Sequence, residues 1–330
     1  MAKRKSDDDR LAELFALGDD FDPASAAETL RDALRAKSNH VVARAAEKIG
    51  KAGSNEFFAD LLGAYQRLLH DPIDSDPTCA GKTAIVDALV KLDHDEFDFY
   101  EAGIGYEQHE PAWGRTEDTA ANVRAGCAMG MVGTARPAKV LNYLAELLVD
   151  PCIVARSGAA RAIGQVPCEE AESLLRLKIL TGDPKPEVIG ECCAAMLTIA
   201  DAGAVEFLTR LLSSDNQDLC EEAALALGES RLPEALEPLR ECWMKRRGSP
   251  TAATLLTCIS LLRLPEANEF LLELIRSDHR AAPDALRSVA WCRDVPDVRK
   301  RIEAAVSDSN NADLQALFDS GFDELPSDST

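Results

Sequence analysis

The chain has 330 residues, 46% of them hydrophobic but only 5% aromatic, and its formal net charge at pH 7 is −21. So acidic a surface repels phosphate backbones and anionic lipid headgroups, which need clustered Lys and Arg; no nucleic-acid and no membrane partner is expected. No run of about 18 apolar residues is present to span a bilayer, and the charged stretch Met1–Asp9 has no apolar run behind it, unlike a secretory leader. The reading is a soluble cytoplasmic protein.

Residues 1–8 read as a charged, disordered tail, followed by a short helix over Leu11–Leu17 that stops at Gly18. Pro23 then suits the first turn of a helix running to Lys37, with Val41–Lys51 as its partner. Glu56–Leu69 and Thr78–Leu92 form the next pair, separated by the Pro- and Asp-rich loop His70–Pro77. A third pair starts at Asp95 and is interrupted: the segment Gly103–Arg115 holds three glycines and a proline, has no helical stripe, and reads as a loop.

From Asp118 onward the pattern becomes regular. Asp118, Asp150, Asp183 and Asp215 recur every 32 or 33 residues, and each precedes the first apolar residue of a helix: Val123, Ala155, Val188 and Leu219. Apolar or small residues then follow at i+4, i+7 and i+8, as in Cys127, Gly130, Met131 and Ala159, Ala162, Ile163. That spacing lays one stripe along each helix. A period in the thirties with two helices per unit predicts an α-solenoid. Further pairs follow as Pro233–Lys245 with Thr251–Leu262 and Pro265–Ile275 with Pro283–Cys292, and helices near Asp297–Val306 and Leu314–Phe318 close the stack. The expected fold is therefore all-α, a superhelix of about eight helical hairpins in a single domain over residues 9–320, with residues 321–330 loose. Asp150-Pro151, Asp183-Pro184 and Asp215-Asn216 supply turn and cap residues, and Gly164 and Gly228 stand where left-handed C-caps are expected.

The ten cysteines include no C-x-x-C pair, and most lie on the apolar stripes. They read as reduced core residues rather than zinc or iron–sulfur ligands. No metal and no cofactor is assigned.

Asp150-Pro151 with Arg156, the helix Ala159-Ala160-Arg161-Ala162-Ile163-Gly164, the triplet Asn122-Val123-Arg124 and the run Glu222–Gly228 together resemble HEAT-like repeats of the kind collected around phycobilisome-lyase proteins. The resemblance spans Pro23 to Val306 and implies a fold shared by adaptors, lyases, hydroxylases and glycosylases. The Asp183 and Asp215 units depart from it, with Ile189 and Cys220 where the arginine stands.

Catalytic motifs are weak. Gly81-Lys82-Thr83 is similar to the end of a phosphate-binding loop, but Asp76 occupies the required first glycine and no strand precedes it. His109-Glu110 is similar to the dyads of a HEAT-like hydroxylase family, which needs several to hold two irons; of five histidines only His109 is followed by glutamate. Lys245-Arg246-Arg247 reads as a solvated cationic helix end. Five aromatics lie between Phe97 and Trp113, and Tyr and Trp are common binding anchors. Tyr106, His109 and Trp113, with the repeat arginines Arg124 and Arg156, are the partner-binding candidates. For the two arginines the reading is pairing with a turn aspartate of their own or the adjacent unit, with recognition of an acidic ligand as the alternative; Tyr106 and Trp113 are read as covering an irregular junction between layers, with ligand or partner contact as the alternative. The functional expectation is a non-enzymatic scaffold or adaptor whose concave face takes a protein or peptide with a basic surface. The alternative is an enzyme on the same scaffold, either tetrapyrrole lyase-like or a metal-dependent hydroxylase.

Overall fold

The computed structural model describes residues 5–18, 20–199, 201–277, 280–292 and 296–322. Among them the protein is all-α, a solenoid of helical hairpins, with one two-stranded sheet. It divides into two compact units, Met1–Leu174 and Leu175–Thr330.

The first unit comprises α1 (Asp7–Ala16), α2 (Ala27–Leu34), α3 (Asn39–Ala52), α4 (Phe58–Leu68), the single turn α5 (Pro72–Ser75), α6 (Ala80–Lys91) and α7 (Phe97–Ile104). The strands β1 (His109–Ala112) and β2 (Arg115–Asp118) follow, then α8 (Ala121–Met131), α9 (Pro137–Leu147) and α10 (Ile153–Ile163). Helices α3, α6, α8 and α10 pack one on the next, each backed by its partner α2, α4, α7 or α9. The division falls within α11 (Glu169–Thr181). The second unit continues with α12 (Pro186–Ile199), α13 (Asp201–Leu211), α14 (Gln217–Glu229), α15 (Leu236–Lys245), α16 (Ala252–Leu261), α17 (Pro265–Ser277) and α18 (Ala282–Val289). Here α12, α14, α16 and α18 pack in sequence, and α19 (Pro296–Asp308) with α20 (Ala312–Gly321) closes the end against α17 and α18.

The stripes are the core. Val123, Cys127 and Met131, then Ala155, Ala159, Ala162 and Ile163, then Val188, Cys192 and Met196 are all buried. In the fourth unit the stripe starts at Cys220, fully buried, rather than at the half-buried Leu219; this keeps the five-residue offset from the turn aspartate seen in the other three. Those aspartates build the turns. Asp118, Asp150 and Asp183 accept the N–H two residues on, from Ala120, Cys152 and Lys185 at 3.0, 2.7 and 2.9 Å. In the fourth turn the hydroxyl of Ser214 takes this part at 3.1 Å, and Asn216 caps α14.

Small residues set how closely the helices approach. A Cβ on Gly158 of α10 would lie 2.5 Å from that of Ala125 on α8, and one on Gly228 of α14 would lie 2.4 Å from the carbonyl oxygen of Cys258 on α16. Gly164 and Gly228 are therefore not left-handed caps: Gly164 has φ −60°, and Gly228 lies inside its helix, kept small by backbone contact. Gly228→Ala is expected to cost about 1–3 kcal/mol through overpacking, whereas Gly63→Ala on open α4 surface is expected to stabilise by about 0.5–1 kcal/mol. Urea denaturation of the two variants checks the contrast.

Several boundaries differ from the sequence reading. The expected loop His70–Pro77 holds the helical turn α5, and the helix expected from Thr78 begins at Ala80, because Thr78 and Cys79 are at positive φ. The N-terminal helix begins at Asp7, inside the expected tail, because the Ser6 hydroxyl accepts the Asp9 N–H while the Asp9 carboxylate accepts the Ser6 N–H. Pro23 does not open a helix, because the Asp22 carboxylate takes the N–H groups of Ala24 and Ser25 and holds a turn, delaying α2 to Ala27. The segment Gly103–Arg115 is not an irregular loop, since α7 ends in it and a β-hairpin begins. The expected loose end at 321–330 begins later, since α20 runs to Gly321 and Phe322 is buried; of the expected tails, residues 1–4 and 323–330 lie outside the described residues.

Candidate functional site

The hairpin is the part of the first unit that departs from the repeat. Pairing of Ala112 with Arg115 leaves Trp113-Gly114 as a two-residue turn, the length that favours positive φ at both positions. Gly114 has φ 83° and Trp113 φ 23°; the latter is unusual for a side-chain-bearing residue. Pro111 is tolerated because hydrogen-bonded and non-bonded pairs alternate, so the Pro111–Thr116 pair beside the closing pair needs no N–H from proline. The Trp113 side chain at the tip is wholly exposed, at 106%. It covers no junction.

The base of the hairpin is tied firmly to the repeats. The Glu110 carboxylate accepts from the Thr78 N–H, the Gln108 amide and the Thr119 hydroxyl, at 2.7, 2.7 and 2.6 Å. Burial alone would raise the Glu110 pKa, but these three donors outweigh it and hold the carboxyl below its ordinary range. Gln108 is buried, and its amide also donates to the Asp76 carbonyl at 2.9 Å. Tyr106 is half-buried, donating to Gln108 Oε1 at 2.8 Å, and burial pushes its phenol up to about 12. Its ring faces the Lys82 ammonium at 5.6 Å.

Lys82 itself is fully enclosed. Its Nζ lies 3.0 Å from Asp76 Oδ2 and donates to the Leu68 carbonyl. The Asp76 carboxylate also accepts from the N–H groups of Gly81 and Lys82, at 2.8 and 2.9 Å, and from Asn39 Nδ2 at 3.0 Å. The residue that spoils the phosphate-loop pattern is thus the one that neutralises its lysine.

The other candidates are distributed differently. Arg124 is buried, its guanidinium bridging Asp118 at 2.7 Å and Asp150 at 2.9 Å while donating to the Tyr106 carbonyl. Arg156, also buried, donates to the carbonyls of Asp150 and Pro151 at 2.8 and 3.1 Å. Arg124 joins the Asp118 and Asp150 turns, and Arg156 holds the second of them. In the Asp183 turn, where the sequence lacks the arginine, Lys178 of α11 pairs with the enclosed Asp183 carboxylate at 2.7 Å. His109 is exposed and pairs with Glu107 at 3.0 Å. The structure therefore gathers Tyr106, Arg124 and Arg156 into the framework and presents His109 and Trp113 to solvent. Of the cationic run, Lys245 pairs with Glu241, Arg246 donates to the carbonyls of Leu212 and Ser214, and Arg247 stacks on Trp243.

Beside the hairpin base runs a groove of about 580 Å³ along α3 and α6, with Thr78 at its edge. Gly50, Ala84 and Ala88 line it, with Arg44, Glu47 and Asp87 adding charge of both signs. Burial raises the Asp87 carboxyl above its ordinary pKa, against the opposing effect of Lys91. At one end Arg44 stacks on the exposed ring of Phe15 at 5.0 Å. Sequence reasoning did not single out Gln108 and met Asp76 and Glu110 only inside weak motifs, because the contacts Asn39–Asp76, Thr78–Glu110 and Asp76–Gln108 span about 30 to 40 residues of the chain. Among the described residues no three His, Cys, Asp or Glu side chains converge as a metal site, and no helix is long and apolar enough to cross a membrane.

Against known families, residues 173–256 match the model for HEAT repeats. That segment carries HEAT-like repeats. The match covers about a quarter of the chain and falls mainly in the second unit, where α12 and α14 carry the Asp183 and Asp215 turns. No curated protein matches the chain. The crystal structure of an engineered protein is similar over 98% of this chain and 94% of its own, at 18% identity and a TM-score of 0.37.

Proposed function

We propose that the protein is a non-catalytic, cytoplasmic interaction scaffold, and that its first unit contacts a protein or peptide through the Trp113 hairpin and the adjoining α3–α6 groove. The observation that carries this reading is the placement of Trp113. A large aromatic is held wholly in water at the tip of a turn with strained backbone, on a base secured by Glu110, Gln108 and Asp118. A solvent-exposed tryptophan contributes nothing to the core, whereas a rigidly presented one loses little conformational freedom on binding. HEAT-like repeats are a common frame for such contacts. The net charge of −21 favours a partner with a basic surface, through long-range steering more than through the groove itself, whose charges are mixed.

The test is affinity capture from the source cell with wild-type protein and Trp113→Ala, followed by titration of the captured partner. The variant is expected to bind at least about 30-fold more weakly, the size of a hot-spot loss of about 2 kcal/mol, with an unchanged Tm. Equal affinity of the two proteins would remove the hairpin from the interface. Retention of the wild type on DNA or heparin at moderate salt would overturn the expected partner class.

A further inference from the structure

Two cysteines that the sequence reading treats as plain core residues come together in the second unit. Cys220 lies on α14 and Cys242 on the following helix α15, and both sulfurs sit at the carbonyl oxygen of Leu212, at 3.4 and 3.5 Å. Cys220 is fully enclosed, but Cys242 forms part of the wall of an open pocket of about 250 Å³, together with Leu212, Ser213, Pro238, Lys245 and Arg246. The guanidinium of Arg246 is fixed there by the carbonyls of Leu212 and Ser214. Two buried thiols that share one carbonyl beside a held cation, one of them in a residue that lines a pocket, differ from the other enclosed cysteines. Cys127, Cys192, Cys193 and Cys258 are buried without such a pairing, and burial pushes their thiols up.

We infer that Cys242 and Cys220 form a peroxide-reactive dithiol, in which Cys242 is the attacking sulfur and Cys220 the resolving one. The substrate class is a small hydroperoxide. The Cys242 thiolate attacks the terminal peroxide oxygen, the O–O bond breaks, and the departing alkoxide or hydroxide takes a proton from water, leaving a sulfenic acid on Cys242. The sulfur of Cys220 then attacks the sulfenic sulfur; an S–S bond forms, the S–O bond breaks, and the Cys220 proton leaves with the hydroxyl as water. In sum two thiols and one hydroperoxide give a disulfide, water and an alcohol (or a second water), with two electrons passing from sulfur to the peroxide oxygens. The neighbouring Cys220 thiol, together with the Arg246 and Lys245 cations, outweighs burial and holds the Cys242 thiol below its ordinary pKa, which favours the thiolate there. The product staples α14 to α15.

The full-length reduced protein is alkylated with limiting iodoacetamide at pH 7, and separately treated with one equivalent of hydrogen peroxide and mapped by non-reducing peptide mass spectrometry. Cys242 is expected to alkylate at least about tenfold faster than Cys258, from the difference in thiolate fraction, and peroxide is expected to yield the linked Cys220–Cys242 peptide. In Cys220→Ser the sulfenic acid on Cys242 should persist and be trapped by dimedone; in Cys242→Ser residue Cys220 should stay unmodified. Alkylation of Cys242 no faster than Cys258, or peroxide treatment that links other cysteines or none, would overturn the assignment. Both readouts are internal to the wild-type chain, so they decide the question even if a variant folds poorly.

Discussion

Replacing Asp76 with alanine is expected to destabilise the first unit by about 3–5 kcal/mol, the largest effect of any single substitution outside the stripes. The carboxylate is fully enclosed and serves four donors: Asn39, the N–H groups of Gly81 and Lys82, and the Lys82 ammonium. Its removal leaves the Lys82 charge buried without its counter-ion, and stranding one partner of a buried pair costs about that much. It also frees two N–H groups at the start of α6 that Thr78 and Cys79, both at positive φ, have turned toward it. Lys82→Met is expected to cost less, about 2 kcal/mol, because Asp76 keeps three donors. Urea denaturation and hydrogen exchange in α3 and α6 measure both. A loss below about 1 kcal/mol for Asp76→Ala would mean that water already reaches the pair.

Arg124→Ala is expected to cost about 2–4 kcal/mol and to change how stability depends on pH. Arg124 joins the turn aspartates Asp118 and Asp150 across adjacent hairpins, so its loss leaves two largely covered carboxylates facing each other. Burial by itself would raise the Asp118 pKa, but the Gln108 and Ala120 N–H groups and the Arg124 guanidinium prevail and hold it below the ordinary carboxylate value. A depressed folded-state pKa contributes stability that is complete above the unfolded value, near pH 4, and fades as the pH falls through the folded one. Wild-type protein should therefore lose this contribution below about pH 4. In the variant the Asp118 pKa rises and the slope between about pH 5 and 3 flattens. Thermal unfolding across that range compares the two, and parallel curves would remove the Arg124–Asp118 pair as its source.

Several features of the fold are visible along the chain itself. The spacing of Val123, Cys127 and Met131, repeated from Ala155 and Val188, is a helical property that each segment carries alone, and all of these residues are buried. The turn aspartates are equally local, since Asp118, Asp150 and Asp183 bond to an N–H two residues away. The hairpin was not visible in the same way. Its strands are four residues long, one contains a proline, and Trp113-Gly114 becomes a turn only when Ala112 and Arg115 pair. Nor could sequence divide the candidates. Tyr106 and Trp113 look alike as aromatics in one irregular stretch, yet one is tied to Gln108 and Lys82 while the other faces water.

The amino-acid order by itself determined the helical period, the stripe each helix hides and the chemistry of the repeated turns, because those depend on contacts within about four residues. Only the tertiary structure decided that Asp76 neutralises Lys82, that Arg124 belongs to the framework, that Trp113 stands free, and that Cys220 meets Cys242. The reason is physical. Burial and pairing depend on neighbours brought close by stacking: Asp150 reaches Arg124 from 26 residues away, and even the nearby Asp76 and Lys82 are enclosed only when Asn39 and Gln108, 37 and 32 residues from Asp76, pack against them.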